Sequence, residues 1–434
     1  MTSTRPAWLT GHMAPVPDEV DAVALEVTGA LPAELTGRYL RNGPNPVPGQ
    51  VSGHWFAGPG MLHGIRLRDG RAEWYRNRWV RTTAFTEGAP FLREDFSVDR
   101  AAVSANTHVI PHADRIFALV EAGFPYEVTP DLDTIGPCDF GGRLTTAMTA
   151  HPKQDPVSGD LLFFGYGFRP PYLTYHRLSA AGELVESREV AVPGATMMHD
   201  FAITENYVIW LDLPVVFDAE LALGAGGMPY RWDADYGARL GVMPRAGGPV
   251  QWFDIEPCYI FHVGNAYERD GRIVVDGARY RPEDFAAIWS GIGGTSTRVA
   301  DRTAAGARMH RWTLDPATGA ATETSIDDRT VEFPTHDDTL TGRGHRYLYT
   351  VSSEAIVKYD VHTGRSAAVD AEHPGEAVFV PADGRRAEDE GWLLTLVADE
   401  LRVLDATDLS PVASVRLPRR VPAGFHGSWI PDAD

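Results

Sequence analysis

The chain has 434 residues, of which 59 are acidic and 39 basic, giving a formal charge of −20 at pH 7. Nucleic acids and anionic membrane surfaces both demand a basic face, so this balance argues against a protein built to bind either. Two cysteines, Cys138 and Cys258, are too few for a disulfide framework or a cysteine-built zinc or iron–sulfur site, and they fit a reducing compartment.

The opening residues 1–17 contain no apolar core of signal-peptide length, and no later run approaches the roughly 18 apolar residues of a membrane helix. The expectation is a cytoplasmic protein with no transmembrane segment. No Ser/Gly linker, charge block or low-complexity tract interrupts the chain, so residues 1–434 read as a single domain. From about residue 35 onward, short apolar runs alternate with tight turns. Asp131 to Gly136 is a loose turn; Asp155-Pro-Val-Ser-Gly159, Asp315-Pro-Ala-Thr-Gly319 and Asp360-Val-His-Thr-Gly364 are alike, and Asp405 to Pro411 is looser again. Aspartate at the first position accepts backbone hydrogen bonds, and the closing glycine takes the positive φ of a bulged hairpin loop. The runs Leu161-Leu-Phe-Phe164, Tyr207-Val-Ile-Trp210, Arg272-Ile-Val-Val275 and Tyr347-Leu-Tyr-Thr-Val351 are β-branched or aromatic and too short for helices. Many short strands joined by hairpins predict a sandwich, barrel or propeller, and a propeller accommodates this length in one domain. The turn-poor stretches at residues 214–250 and 276–300 are expected as loops covering one face.

Fifteen histidines occur, none in an HExxH or HxH pattern. His151, His199 and His262 nevertheless share a context: each begins a strand, a turn follows within about ten residues, and an apolar return strand comes next. They lie 48 and 63 residues apart, close to one blade with its loops. Equivalent positions on successive innermost strands face a propeller's axis, where a ring of imidazoles suits iron, copper, nickel or zinc. Spacing alone leaves the alternative open that these are polar groups satisfied within the fold.

The motifs then become recognisable as a set. Arg41-Asn-Gly-Pro-Asn-Pro46, His54-Trp-Phe56, Gly60-Met-Leu-His-Gly64 and Tyr75-Arg-Asn-Arg78 open the series. Thr149-Ala-His-Pro-Lys153, Met198-His-Asp-Phe201, Phe261-His262, Asn265-Ala-Tyr-Glu268, Glu332-Phe-Pro334, Gly375-Glu-Ala-Val-Phe-Val-Pro381 and Gly424-Phe-His-Gly427 continue it. In this order, from about residue 20 to residue 430, the chain resembles the carotenoid cleavage oxygenases. The resemblance implies an all-β, seven-bladed β-propeller with a cap of loops and short helices over an axial non-haem Fe(2+). It implies His151, His199, His262 and His426 as the iron ligands and catalytic centre, with Glu121, Glu332 and Glu376 orienting them. A carboxylate that accepts the remote ring N–H fixes the tautomer and aims the other nitrogen at a metal.

The implied reaction is oxidative cleavage of a carotenoid or apocarotenoid C=C bond by dioxygen into two carbonyls, with an apolar alkene as substrate and no organic cofactor. The alternative within the family is a phenolic stilbene or related phenylpropene; members acting on these usually carry a lysine before the first orienting glutamate, where this chain has Val120. Rivals of other classes are a calcium-dependent propeller hydrolase and a metal-free binding propeller. Oligomeric state and peripheral membrane contact are left open. The chain departs from the family's HWFDGDGM at Ala57 and Pro59, where a turn of the scaffold is expected to change, and Thr335-His336 stands where many members have Arg-Ile. His54 and His63 are expected to satisfy buried turns and His108 to be structural. His12, His112, His176, His310, His336, His345, His362 and His373 read as loop or surface residues, and Cys258 as a buried thiol.

Overall fold

The computed structural model describes residues 5–224, 228–295 and 305–432. Seven antiparallel sheets of four or five strands succeed one another among the described residues, and the fold class is the seven-bladed β-propeller. The contacts group into two compact units: one runs to Thr145 and resumes at Val351–Lys358 and from Ser366, and the other comprises Thr146–Thr350 and Tyr359–Arg365.

In the first unit, one five-stranded sheet joins the two ends of the chain. Its order is Val20–Val23, Arg71–Trp79, Gly60–Arg68, Gly37–Pro44, Gly427–Pro431. Pairing of Gly37 with Pro431 through Arg41 with Gly427 places the last strand beside an early one. Arg38, Arg66 and Arg68 then all ion-pair with Asp432, fastening the C-terminal strand to that sheet. In the second unit the strands Lys153–Gln154 and Ala202–Ile203 closely follow His151 and His199, and Tyr259–Arg269 contains His262, so three sheets begin near the three histidines singled out by spacing.

The aspartate turns form as the sequence dictates. Asp155 Oδ1 accepts from Val157 N at 2.9 Å and Ser158 N at 3.4 Å, and Gly159 takes φ +74°. Asp315 and Asp360 repeat this with Gly319 at +75° and Gly364 at +70°. At the looser Asp405 turn Leu409 occupies the left-handed position, at +65°, without a glycine to ease it.

The two expected loop stretches are corrected by the structure. Residues 214–250 contain the hairpin of Val215–Phe217 with Tyr230–Trp232, the helix Ala219–Leu223 and the blade strand Arg239–Pro244. Residues 276–300 contain the end of Arg272–Tyr280 and the helix Pro282–Gly291. The parts at 225–227 and 296–300 lie outside the described residues. Both helices carry start signals that outweigh their scarcity of turns. Asp218 accepts from the amides of Glu220 and Leu221, and Pro282 with Glu283 and Asp284 opens the longer helix.

Candidate metal centre

The three histidines of the second unit come together. His151 Nε2 lies 3.0 Å from His199 Nε2. Ring centroids are 4.5 Å apart for His151–His199, 5.1 Å for His151–His262 and 5.2 Å for His199–His262. All three are buried, and their candidate ligand nitrogens lie within 4.8 Å of one another. His151 and His199 stand two and three residues ahead of the strands Lys153–Gln154 and Ala202–Ile203 rather than beginning them. His262 instead sits inside Tyr259–Arg269, where the register with the next strand slips between Ile260 and Val263. Such an irregularity re-aims a side chain out of the regular pleat.

Local packing fixes each of these positions. Buried Thr149 accepts the His151 amide at 3.1 Å and reaches the His199 carbonyl at 3.5 Å. Beyond His199, Phe201 stacks on Trp210 at 5.7 Å and meets Phe164 edge-on at 5.2 Å, anchoring the His-Asp-Phe segment in the core. Tyr259 donates its hydroxyl to the Met197 carbonyl at 2.7 Å, tying the strand of His262 to the segment leading into His199. An aromatic wall continues from the imidazoles: Phe261 is edge-on to His199 at 5.3 Å, and Phe285 and Trp289 follow it at 6.0 and 5.5 Å.

Carboxylates hold two of the rings. Glu332 Oε2 accepts from His262 Nδ1 and from the Phe333 amide, both at 2.6 Å. Phe333 adopts φ +53°, a strained conformation for a residue before proline, and its ring stacks on His262 at 4.9 Å. Tyr280, fully buried, shares a hydrogen bond with Glu332; burial and that carboxylate hold its hydroxyl well above the ordinary phenol range. In the first unit Glu376 Oε1 accepts from His426 Nδ1 at 2.8 Å, while Oε2 accepts the Gly427 amide at 2.7 Å. A Cβ at Gly427 would meet the Tyr39 hydroxyl at 2.9 Å, so this turn admits little else. The Asn42 amide donates to the His426 carbonyl at 3.0 Å and Asn42 in turn accepts from Phe425, also at 3.0 Å. The opening Arg-Asn-Gly motif, whose purpose the sequence did not disclose, thus braces the last histidine. Glu121 is buried just past the strand Arg115–Leu119.

An ionised carboxylate can only accept, so the hydrogen of His262 and of His426 sits on Nδ1 and the lone pair on Nε2. A neutral imidazole presenting Nε2 is the donor that a first-row metal requires. The 3.0 Å between the Nε2 atoms of His151 and His199 equals the edge that two ligands at right angles, each about 2.1 Å from one cation, would make. On donor type and spacing these residues fit an imidazole-bound metal.

The remaining histidines divide differently from expectation. His12, His362 and His373 are exposed, as read. His112 and His176 lie buried in strands, which overturns their reading as loop or surface residues, while His345 is a loop residue, as read, but a buried one. His176 sits in Leu173–Leu178 with Thr146 Oγ1 at 2.7 Å and Ser187 Oγ at 2.8 Å, and burial lowers its pKa to about 4. His345 contacts Asp276 and Asn265. His310, half-buried in a strand, pairs with Glu323 at 3.1 Å, and burial holds His336 well below the usual imidazole range. His54 is buried and caps Trp55–Ala57 by accepting the Phe56 amide, whereas His63 lies in a strand, bonded to Tyr75 rather than in a turn. His108 packs against His426 at 5.0 Å. Cys258 is a buried thiol pushed up to about 12 by desolvation, and Cys138 is buried too.

The family model described as retinal pigment epithelial membrane protein matches residues 13–431. A carotenoid cleavage oxygenase of Mycobacterium tuberculosis is 41% identical, over 98% of this chain and 97% of its own. A carotenoid 9,10(9',10')-cleavage dioxygenase of Crocus sativus is 33% identical, over 98% and 89%. Among solved structures, a Pseudomonas brassicacearum lignostilbene dioxygenase superposes with a TM-score of 0.89 at 29% identity, covering 99% of this chain and 100% of the other. The cobalt-substituted ACO of Synechocystis gives 0.83 at 28% identity, covering 96% and 97%.

Proposed function

We propose, from the premise that this chain belongs to the retinal pigment epithelial membrane protein family, that of the carotenoid cleavage oxygenases, that it is an Fe(2+)-dependent dioxygenase cleaving a C=C bond of a carotenoid or apocarotenoid. The class, an oxidoreductase of this family, is the premise; the iron, the substrate and the residue roles are the proposal. The observation that carries it is the ligand set. Among the described residues, those able to share one metal ion are four buried histidines, His151, His199, His262 and His426.

Each residue has a defined task. The four imidazoles hold the ion through neutral nitrogen, so its positive charge is not cancelled by an anionic ligand. Glu332 and Glu376 keep the hydrogen of His262 and His426 on Nδ1 and stop the rings turning. Glu121 is assigned the same task toward a ligand histidine. Iron, when bound, supplies the redox chemistry that ground-state dioxygen needs to react with a closed-shell alkene. Phe261 and Phe333, packed on His199 and His262, would shield the metal from water on that side. One alkene and one O2 give two carbonyl products, with every atom accounted for.

The second reading, cleavage of a phenolic stilbene, draws support from the likeness to the lignostilbene dioxygenase. Against it stand the partners available to a phenol, whose unpaired buried hydroxyl costs about 1–3 kcal/mol. Val120 packs in an apolar cluster with Leu62, Val103 and Val109. Both lysines of the chain are engaged elsewhere, Lys153 with Asp200 at 2.8 Å and Lys358 with Asp389 at 2.5 Å. We expect kcat/KM for an apocarotenal to exceed that for a 4-hydroxystilbene under equal iron loading. Faster release of two aromatic aldehydes from the stilbene would move the protein to the second reading.

A further inference from the structure

The ligands of the second unit come from three separate stretches of chain, yet their nitrogens must agree to within a few tenths of an ångström. The main chains need their own alignment. Asp200 follows His199 and is 1% exposed. Its Oδ2 accepts the amide of Val263, the residue after His262, at 2.8 Å. Its Oδ1 accepts the ammonium of Lys153, two residues beyond His151, at 2.8 Å, and the Phe201 amide at 2.8 Å. Val263 stands where the register of its strand slips on both sides, so its amide is at the point where regular pairing is interrupted. One buried carboxylate therefore touches all three ligand segments at positions one or two residues from the imidazoles.

We propose that Asp200, with Lys153 as its counter-ion, is a positioning residue that locks the backbones of His151, His199 and His262 into one frame and so sets the geometry of the metal. This rests on the metal reading above. A buried carboxylate left without its cation, or a cation without its carboxylate, is costly, so the pair acts as a unit. The identity of Lys153 then follows from structure: it neutralises Asp200 and is not available to grip a substrate oxygen.

The test is cobalt(II) titration of the metal-free full-length chain, followed by visible absorption, whose d–d bands report ligand geometry. Asp200→Asn keeps the shape but removes the charge and one acceptor. It should weaken cobalt affinity by about 10- to 100-fold, as for other outer partners of metal ligands, and should alter the band shape at saturating cobalt. Lys153→Met should alter the bands in the same sense, and Lys153→Arg should restore them. A wild-type spectrum in saturated Asp200→Asn would overturn the proposal whatever happened to activity or melting temperature. If Asp200→Asn does not fold, the saturated spectrum of Lys153→Met decides by the same criterion. A wild-type chain that takes up no cobalt would instead remove the metal reading, and this proposal with it.

Discussion

Around His176 and around His262 the chain buries an imidazole in two different ways. His176 has a hydroxyl on each nitrogen, Thr146 on Nε2 and Ser187 on Nδ1, and its ring stacks on Phe163 at 4.9 Å. Both nitrogens of that ring are met by neighbouring hydroxyls. His262 has a carboxylate on Nδ1, which fixes the hydrogen there, and its Nε2 is turned toward the group it forms with His151 and His199. His426 repeats the second pattern through Glu376. Burial is common to both kinds of histidine and so does not identify a ligand. Nor does a carboxylate alone, since His310 pairs with Glu323 and His345 with Asp276; a second nitrogen turned toward other imidazoles does.

This contrast can be broken most severely at the rings themselves. Alanine at His151, His199, His262 or His426 should abolish turnover and deplete iron, read by metal analysis of each purified variant, while His176→Phe should retain full iron. Full occupancy in any of the four would remove that residue from the ligand set.

A smaller effect is expected one shell out. Glu332→Gln, Glu376→Gln and Glu121→Gln should each cost about 10- to 100-fold in metal affinity or activity, because an amide can accept the ring N–H but binds it less strongly. Chelator competition measures this directly. An unchanged affinity in Glu121→Gln would strip that residue of its assigned role.

The His176 side of the contrast is sharpened by pH. Unfolded histidine takes up a proton near pH 6.5, whereas folded His176 resists it until about 4. The unfolded state therefore binds more protons in that window. The contribution is fully present above pH 6.5 and lost as pH falls toward 4, at up to about 1.4 kcal/mol per pH unit. His176→Phe should flatten this part of the melting-temperature profile, at the expense of neutral-pH stability from two stranded hydroxyls. An identical acid slope in wild type and variant would show that His176 is not the group responsible.

Much of the fold was legible because its signals are local. The Asp-to-Gly turns at Asp155, Asp315 and Asp360 need only five residues each, and all three form. His151 and His199 were legible for the same reason, each shortly ahead of a strand, a turn and an apolar return strand. His426 escaped spacing altogether, standing 164 residues beyond His262, and entered only through the family resemblance. Asp200 was invisible as a tie because its partners, Lys153 and Val263, lie 47 and 63 residues away. His112 and His176 were misread as loop or surface residues because a polar side chain on a strand carries no mark of burial; the hydroxyls that satisfy His176, like the partners of the buried loop residue His345, come from other segments. The helix Pro282–Gly291 was hidden by the expectation of an all-strand repeat, although its proline and acidic first turn were in view.

Oxygen consumption coupled to product formation reads iron-dependent cleavage at its source. The metal-free chain, reloaded with one equivalent of Fe(2+) and given an apocarotenal, should consume one O2 for each pair of carbonyl products and fall silent when iron is chelated. Cleavage that continued at the same rate without iron, or an iron-loaded chain that consumed no oxygen with any polyene or hydroxystilbene offered, would contradict the account.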